Sequence, residues 1–450
     1  MDYQQLAQDV VSAAMRAGAD EAEVYLQTGD EFDVNVRLGE VETLTQAGAK
    51  GLGLRVFVDK RMAFASTTDF DGDVINDMVK TTVQLARSAS RDRYNGLPDP
   101  GSGPGRPGPV PHLDLYDRTI ADLTTAEKIE MARESEAAAF EFDRRITNSY
   151  GASFSNSSGM SIIANSNGIL YTNSSTRCGI GCAPLAEEDG SKEVGSYGSV
   201  RRFLRQLESP ESVGREAAGR AVRKLGARKV ETQKVPVVFE WSVAPILWGA
   251  VFSALDGDNI HRGMSFLKKK LNKRVGSHLV TLIDDPLMPS GIGSMPFDGE
   301  GVLTRCKVVV DEGILKMHFY DARTARKYGA QPTGNARRGY SGIPSVGPTN
   351  FYLRQTDVSP EEIIRGISNG FYVTETMGHG VSVVTGDFSV GASGMWIKDG
   401  ELAYPVHEVT IAGNMLDMMQ NVEQVANDAK FMSLVVSPTF KITEMTVSGR

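Results

Sequence analysis

Apolar positions recur at helical spacing over residues 3–17, where Leu6, Val10, Val11 and Ala14 share one face and Gly18 stops the run. Alternation then takes over. Residues 22–26, 32–36 and 41–44 read as antiparallel strands, with turns at Gly29-Asp30 and Gly39-Glu40, and residues 51–58 extend the sheet. Helical periodicity returns over residues 73–89. A helix, a run of strands and a second helix predict an α+β unit over residues 1–96.

Residues 97–111 hold six of the 19 prolines and four glycines, which rules out a regular element and predicts a surface linker, placed at 97–116. A middle helix/strand unit follows over 117–230. Its first helix, 124–142, opens with the capping pattern Thr124-Thr125-Ala126-Glu127. Polar, glycine-punctuated strands run from Ile146 to about Leu204 with a hairpin signal at Asn167-Gly168, and Ser209-Pro210-Glu211 starts another helix that ends near Gly226. From 234 to 450 the pattern is β-rich: a buried strand at 235–239, a helix at 244–255, then strands and hairpins, with turns at Asp311-Glu312-Gly313 and Lys398-Asp399-Gly400-Glu401. Helices are expected near 321–328, 360–367 and 415–425. The fold class is α+β, and no short solenoid-type repeat interrupts it.

Composition narrows the function classes. The chain has 450 residues, 41% hydrophobic and 23% charged, as a soluble globular protein does. A net charge of −8 argues against a dedicated nucleic-acid binder, which needs a clustered cationic surface. The polar start Met1-Asp2-Tyr3-Gln4-Gln5-Leu6 offers no secretory signal, no apolar run is long enough to span a bilayer, and the three cysteines make no disulfide framework. A cytoplasmic protein is expected.

The search for chemistry is mostly negative. His112, His261, His278, His318, His379 and His407 are scattered, with no pair at metal-ligand spacing on one helix. Cys178 and Cys182 alternate on a strand and read as buried structural thiols. Cys306 lies between Arg305 and Lys307 with no matching histidine. Gly366-Ile367-Ser368-Asn369-Gly370 has a helix before it and a strand after it, the reverse of a nucleophile elbow. Gly51-Leu52-Gly53 and Gly391-Ala392-Ser393-Gly394 lie in strand patterns and mark bulges or close backbone approach. Lys268-Lys269-Lys270 with Lys273 and Arg274 read as a solvated face. Asp284-Asp285 with Asp298 and Glu300 form an acidic group around a Pro/Gly loop, for which turn and cap roles outweigh acid/base work.

Several blocks in order resemble one family: Leu279-Val280-Thr281-Leu282-Ile283-Asp284-Asp285-Pro286, Phe297-Asp298-Gly299-Glu300-Gly301-Val302, Thr333-Gly334-Asn335-Ala336-Arg337-Arg338, Gly386-Asp387-Phe388-Ser389, Val409-Thr410-Ile411-Ala412-Gly413-Asn414 and Ser437-Pro438-Thr439. Together with Ala17-Gly18-Ala19-Asp20-Glu21-Ala22-Glu23-Val24 they are similar to the TldD/PmbA family, once labelled modulators of DNA gyrase, over nearly the whole chain. The resemblance implies an N-terminal α+β region and a β-rich C-terminal domain, assembled as dimers around an enclosed cavity. It implies a catalytic branch with His-Glu-x-x-x-His on the helix after the first C-terminal strand and a late cysteine as a further zinc ligand, the glutamate activating zinc-bound water for peptide hydrolysis.

At that place this chain has Trp248 and Ser253 in the histidine positions and Gly249 in the glutamate position, with the trailing Leu255-Asp256-Gly257-Asp258 fixing the register. No cysteine stands between Asn427 and Thr439. This is the pattern of the PmbA-like (TldE-like) branch that lacks the zinc motif. The expectation is a non-catalytic, metal-free subunit of a cytosolic metallopeptidase complex, paired with a TldD-like catalytic subunit or with itself, enclosing unfolded peptide. Zinc is expected only in the catalytic partner, and neither nucleic acid nor membrane is expected as a partner. Asp284, Asp298, Glu300, Asn335 and Arg337 are the candidate cavity residues. Two other readings stay open: a stand-alone homodimeric hydrolase using Cys306, His318 and the acidic group, and a regulatory binding protein.

Overall fold

Asp2 accepts hydrogen bonds from the Gln4 and Gln5 N–H groups and so opens α1 (Tyr3–Arg16), whose buried Ala7, Val10, Val11 and Ala14 lie on the predicted face. The computed structural model describes residues 1–103, 110–378 and 380–449, so His379 and residues 104–109 of the Pro/Gly stretch lie outside the described residues. After α1 come β1 (Glu21–Arg37), β2 (Glu40–Val58), β3 (Arg61–Thr67) and α2 (Gly72–Ser88). The Gly39-Glu40 turn is present; the one expected at Gly29-Asp30 is not. Residues 22–36 belong to one 17-residue strand, in which Gly29 pairs with Ala49 on one side and Gly159 on the other. A Cβ at Gly29 would sit 2.6 Å from the Ser158 carbonyl oxygen, so this glycine lets strands approach closely and makes no turn.

A short α3 (Thr119–Asp122) leads to α4 (Thr125–Phe142), capped by the reciprocal Thr124–Glu127 hydrogen bonds that the sequence announces. Then follow β4 (Ile146–Asn165), β5 (Leu170–Glu188), β6 (Ser191–Val194), β7 (Tyr197–Arg201) and α5 (Pro210–Val222). The strands form one sheet in the order β3-β2-β1-β4-β5-β6, with β7 also on β5. Because β1 pairs β4, residues on both sides of the Pro/Gly stretch share this sheet.

Period-two alternation gives the sheet two unlike faces. On β1, Val24 and Leu26 lie under α1 and α2, while Phe32, Val34 and Val36 pack near α4. The opposite face carries Glu23, Tyr25 and Gln27, which meet Arg338 and Tyr340 of the C-terminal region. There Gly51 and Gly53 make room: a Cβ on either would lie within about 2.2 Å of Tyr340 atoms.

The C-terminal region begins with β8 (Gln233–Phe239), α6 (Pro245–Ala254) and α7 (Gly257–His261). It continues through β9 (Leu282–Asp284), β10 (Lys307–Asp311), β11 (Ile314–Leu315), α8 (Ala322–Tyr328), β12 (Ala336–Arg337), β13 (Ser345–Val346), β14 (Phe351–Leu353) and α9 (Pro360–Arg365). It ends with β15 (Asn369–Met377), β16 (Asp387–Lys398), β17 (Glu401–Asn414), α10 (Met415–Gln420), β18 (Val422–Val425), β19 (Val435–Val436) and β20 (Phe440–Ser448). The larger sheet has the order β17-β16-β15-β8-β20-β18 and closes on itself, since β17 also pairs β20. A second sheet runs β11-β10-β9-β14-β19. The helix expected over 415–425 stops at Gln420: Asn421 ends it and the β-branched Val422 and Val425 join β20 as a strand.

The main core lies between these two sheets and encloses Phe239, Trp248, Phe319, Phe351, Phe388 and Phe440. Among the described residues no helix is long and apolar enough to cross a membrane.

Candidate functional site

Helix α6 is apolar nearly all round, with Pro245 supplying its first turn. Trp248 points inward and is 1% exposed; its ring lies 5.3 Å from that of Phe440. The indole Nε1–H donates to Ser437 Oγ at 3.0 Å, and that hydroxyl donates to the Pro438 carbonyl at 2.6 Å. Gly249 and Ser253 lie one helical turn apart on the outer side. A Cβ on Gly249 would meet nothing within 4 Å, and the Ser253 hydroxyl donates back to the Gly249 carbonyl at 3.0 Å. The three positions therefore diverge, Trp248 into the core and the other two outward.

This donor set does not fit zinc. An indole nitrogen in this geometry is spent as a donor and offers no lone pair, glycine has no side chain, and the serine hydroxyl is engaged on its own helix. Among the described residues no three His, Cys, Asp or Glu side chains come together to hold a metal ion.

Beside the N-terminus of α6 a cleft of about 930 Å³ runs between Tyr197, Trp241, Arg220, Lys430 and the loop that carries Ser433 and Ser437. Lys430 Nζ donates to the Tyr197 hydroxyl at 2.6 Å, and Tyr197 in turn donates to Glu208 at 2.9 Å. Lys430 and Arg220 both lie over the Tyr197 and Trp241 rings at 4.8–5.6 Å. Glu240, buried behind, pairs with Arg220 at 3.5 Å and Arg223 at 3.3 Å.

The acidic group divides into two frameworks. Asp284, fully buried, accepts from Asn335 Nδ2, Thr349 N and Thr349 Oγ1, each at 2.8 Å, and pairs with Lys307 Nζ at 3.0 Å. Lys307 also donates to Asn335 Oδ1 and the Thr333 carbonyl. Asp298 accepts three main-chain N–H groups, from Glu300, Val302 and Ala336. Burial, and then the charge of Glu300, hold its carboxyl above the usual range. Glu300 is likewise raised by burial, against the pull of Arg55. It accepts from Arg55 at 3.1 Å and from Ala322 N at 2.8 Å. Asp284, Asn335 and Glu300 thus hold loops together; Asp298 borders a small recess of about 190 Å³, and Arg337 borders that recess and a larger cleft.

That larger cleft, about 640 Å³, lies against the polar face of the N-terminal sheet. Its floor is the serine-rich stretch of β4 and β5, and its walls include Arg177, Arg202 and Arg337. Sequence reasoning did not find Arg177 or Arg202. No local motif marks them, and only the alternation of polar side chains along β5 hints that one face there serves something other than a core.

The thiols and His318 do not form a reactive set. Cys178 and Cys182 belong to different apolar clusters, and burial pushes both thiols up to about 12. Cys306 is exposed at its edge, yet partial cover and then the charge of Asp285 raise its pKa, opposite to what a nucleophile needs. His318 instead neighbours Tyr320 and His261.

Comparison with known proteins gives three consecutive matches: residues 22–86 to PmbA/TldA metallopeptidase domain 1, 118–225 to the central domain and 232–449 to the C-terminal domain. Metalloprotease PmbA of Escherichia coli O157:H7 is 34% identical over 98% of this chain and 96% of its own length. A PmbA homolog of Haemophilus influenzae is 32% identical over 98% and 94%. Among solved structures, a protein of Bacteroides thetaiotaomicron named for modulation of DNA gyrase superposes with a TM-score of 0.92 at 27% identity, covering all of both chains. TldE of Thermococcus kodakarensis shares the fold, with a TM-score of 0.89 at 21% identity over 99% of this chain and 100% of its own.

Proposed function

The chain belongs to the PmbA/TldD metallopeptidase family, and we propose that within it this protein is a metal-free subunit that holds peptide while a zinc-bearing TldD-like partner cuts it. The observation that carries this reading is the fate of α6. In the catalytic branch the family resemblance places two histidines and a glutamate there; here Trp248 is built into the core and bonded to Ser437, and Gly249 and Ser253 face away from it. A site rearranged in this way has lost the geometry for activating water and has become a structural joint between α6 and the C-terminal loop.

What remains suits holding. The 640 Å³ cleft and the 930 Å³ cleft both border Ser433, and both present hydroxyl, amide and guanidinium groups. Such walls engage the main chain of an extended, unfolded peptide by hydrogen bonds that ask little of its side chains. The decisive experiment measures zinc content and peptidase activity of the purified chain, alone and after mixing with a TldD-type partner. The expected result is no stoichiometric zinc, no turnover alone and proteolysis in the mixture. Turnover by the single chain would overturn the proposal.

A further inference from the structure

The cleft on the polar face of the N-terminal sheet has an unusual charge balance for a protein of net charge −8. Three guanidinium groups, from Arg177, Arg202 and Arg337, stand on its wall against one carboxylate, Glu31, at the exposed rim. Arg202 is 7% exposed and donates only to main-chain carbonyls: Gly291 and Ile292 at 2.7 Å, Thr176 at 3.3 Å and Ser294 at 3.4 Å. These acceptors fix its position and leave its charge unneutralised. Burial, and then the like charges of Arg177 and Arg337, lower its pKa to about 10, so it stays protonated at neutral pH and feels the other two cations directly.

Arg337 is tethered by one bond, Nη1 to the Pro348 carbonyl at 2.7 Å, while its side chain borders both the cleft and the recess behind it. Arg177 forms no ion pair among the described residues. Behind Arg337 lies Arg338, packed at 4.7 Å over Tyr25. Its Nη2 sits 2.6 Å from Glu23 Oε1, but no guanidinium nitrogen makes a well-directed hydrogen bond. Glu23 and Glu300 are taken up by Arg55 and Arg338 and so offer no charge to the cleft, and Asp298 at the recess has its oxygens occupied by N–H groups. Grouping three guanidinium groups around a partly desolvated cleft is unfavourable unless an anion completes it.

We propose that this cleft is a carboxylate-binding site, and that it takes an acidic group of the extended peptide, its C-terminal carboxylate or an Asp/Glu side chain. The planar fork of Arg337 matches a carboxylate bidentately, Arg177 closes on it from the rim, and the serine hydroxyls of the floor supply further donors. Arg202 is a positioning residue: it holds loop 291–294 and adds field. The inference rests on the peptide-holding reading above and narrows it, because it gives the protein a preference among peptides.

The test is fluorescence anisotropy of the full chain with an N-terminally labelled hexapeptide of Gly, Ala and Ser in three forms: free C-terminal acid, C-terminal amide, and amide with one internal Glu. At least one acidic form should bind about tenfold more tightly than the neutral amide. The acidic form that gains identifies which carboxylate is read. Arg337→Met and the rim variant Arg177→Met should each bring the ratio of acidic to neutral affinity close to one, whatever either change does to main-chain binding. Equal binding of all three forms would overturn the carboxylate site and leave peptide holding intact; no binding of any form would overturn both.

Discussion

Arg55, on the second strand of the N-terminal sheet, places Nη2 3.1 Å from Glu300 Oε1 of the C-terminal region, and both side chains are sealed from solvent. The same nitrogen lies 3.0 Å from Glu23, which also meets Arg338 at 2.6 Å. Two carboxylates and two guanidinium groups thus alternate across the junction of the N-terminal sheet with the strands beyond residue 232. Removing one member strands a buried charge. Arg55→Met should lower the unfolding free energy by about 3–5 kcal/mol. Urea unfolding followed by circular dichroism and tryptophan fluorescence should shift together to lower midpoints, and an unchanged midpoint would show that the network contributes nothing.

Trp248→Ala should cost about 3–5 kcal/mol through the cavity it opens beside Phe440. Trp248→Phe keeps much of the packing and loses the bond to Ser437, for about 1 kcal/mol. Thermal unfolding of the two variants should rank them in that order. A milder Ala variant would mean that α6 is not the anchored element described above.

Lys307→Met leaves Asp284 buried without its cation and should destabilise the protein by about 3–5 kcal/mol. The folded fraction should bind peptide as the parent does, because neither residue borders the clefts. A selective loss of binding with unchanged stability would move Asp284 from framework to site.

His318 gives a pH dependence with a definite sign. Burial, and then the charge of His261, lower its pKa from 6.5 to about 4, so the folded protein keeps the ring neutral where the unfolded chain protonates it. Its contribution is therefore complete above pH 6.5 and is lost as pH falls from 6.5 toward 4. Melting temperatures of the parent and His318→Gln should converge over that interval. Parallel curves would show that the ring titrates normally.

Elements whose signals are local were legible in the sequence. The apolar face of α1, the Thr124–Glu127 capping box and the Asn167-Gly168 hairpin turn all depend on neighbours within a few residues. Gly29-Asp30 misled because a glycine required by the approach of Ser158 has the same local appearance as one in a turn. The local turn role of Asp298 was legible, but the division of the acidic residues around 284–300 into two frameworks was not, because it is set by Lys307, Thr349 and Arg55, which no short motif ties to them. The arginine cleft was hidden for the same reason: positions 177, 202 and 337 become neighbours only after β5 and the C-terminal loops are in place.

The indole of Trp248 also limits how α6 can be re-engineered. Because it is packed between α6 and Phe440 and bonded to Ser437, a histidine at that position would leave a void and an unfilled partner, loosening the fold before any new ligand set could be assembled on the helix. Redesign of this helix therefore has to begin with a replacement for that packing.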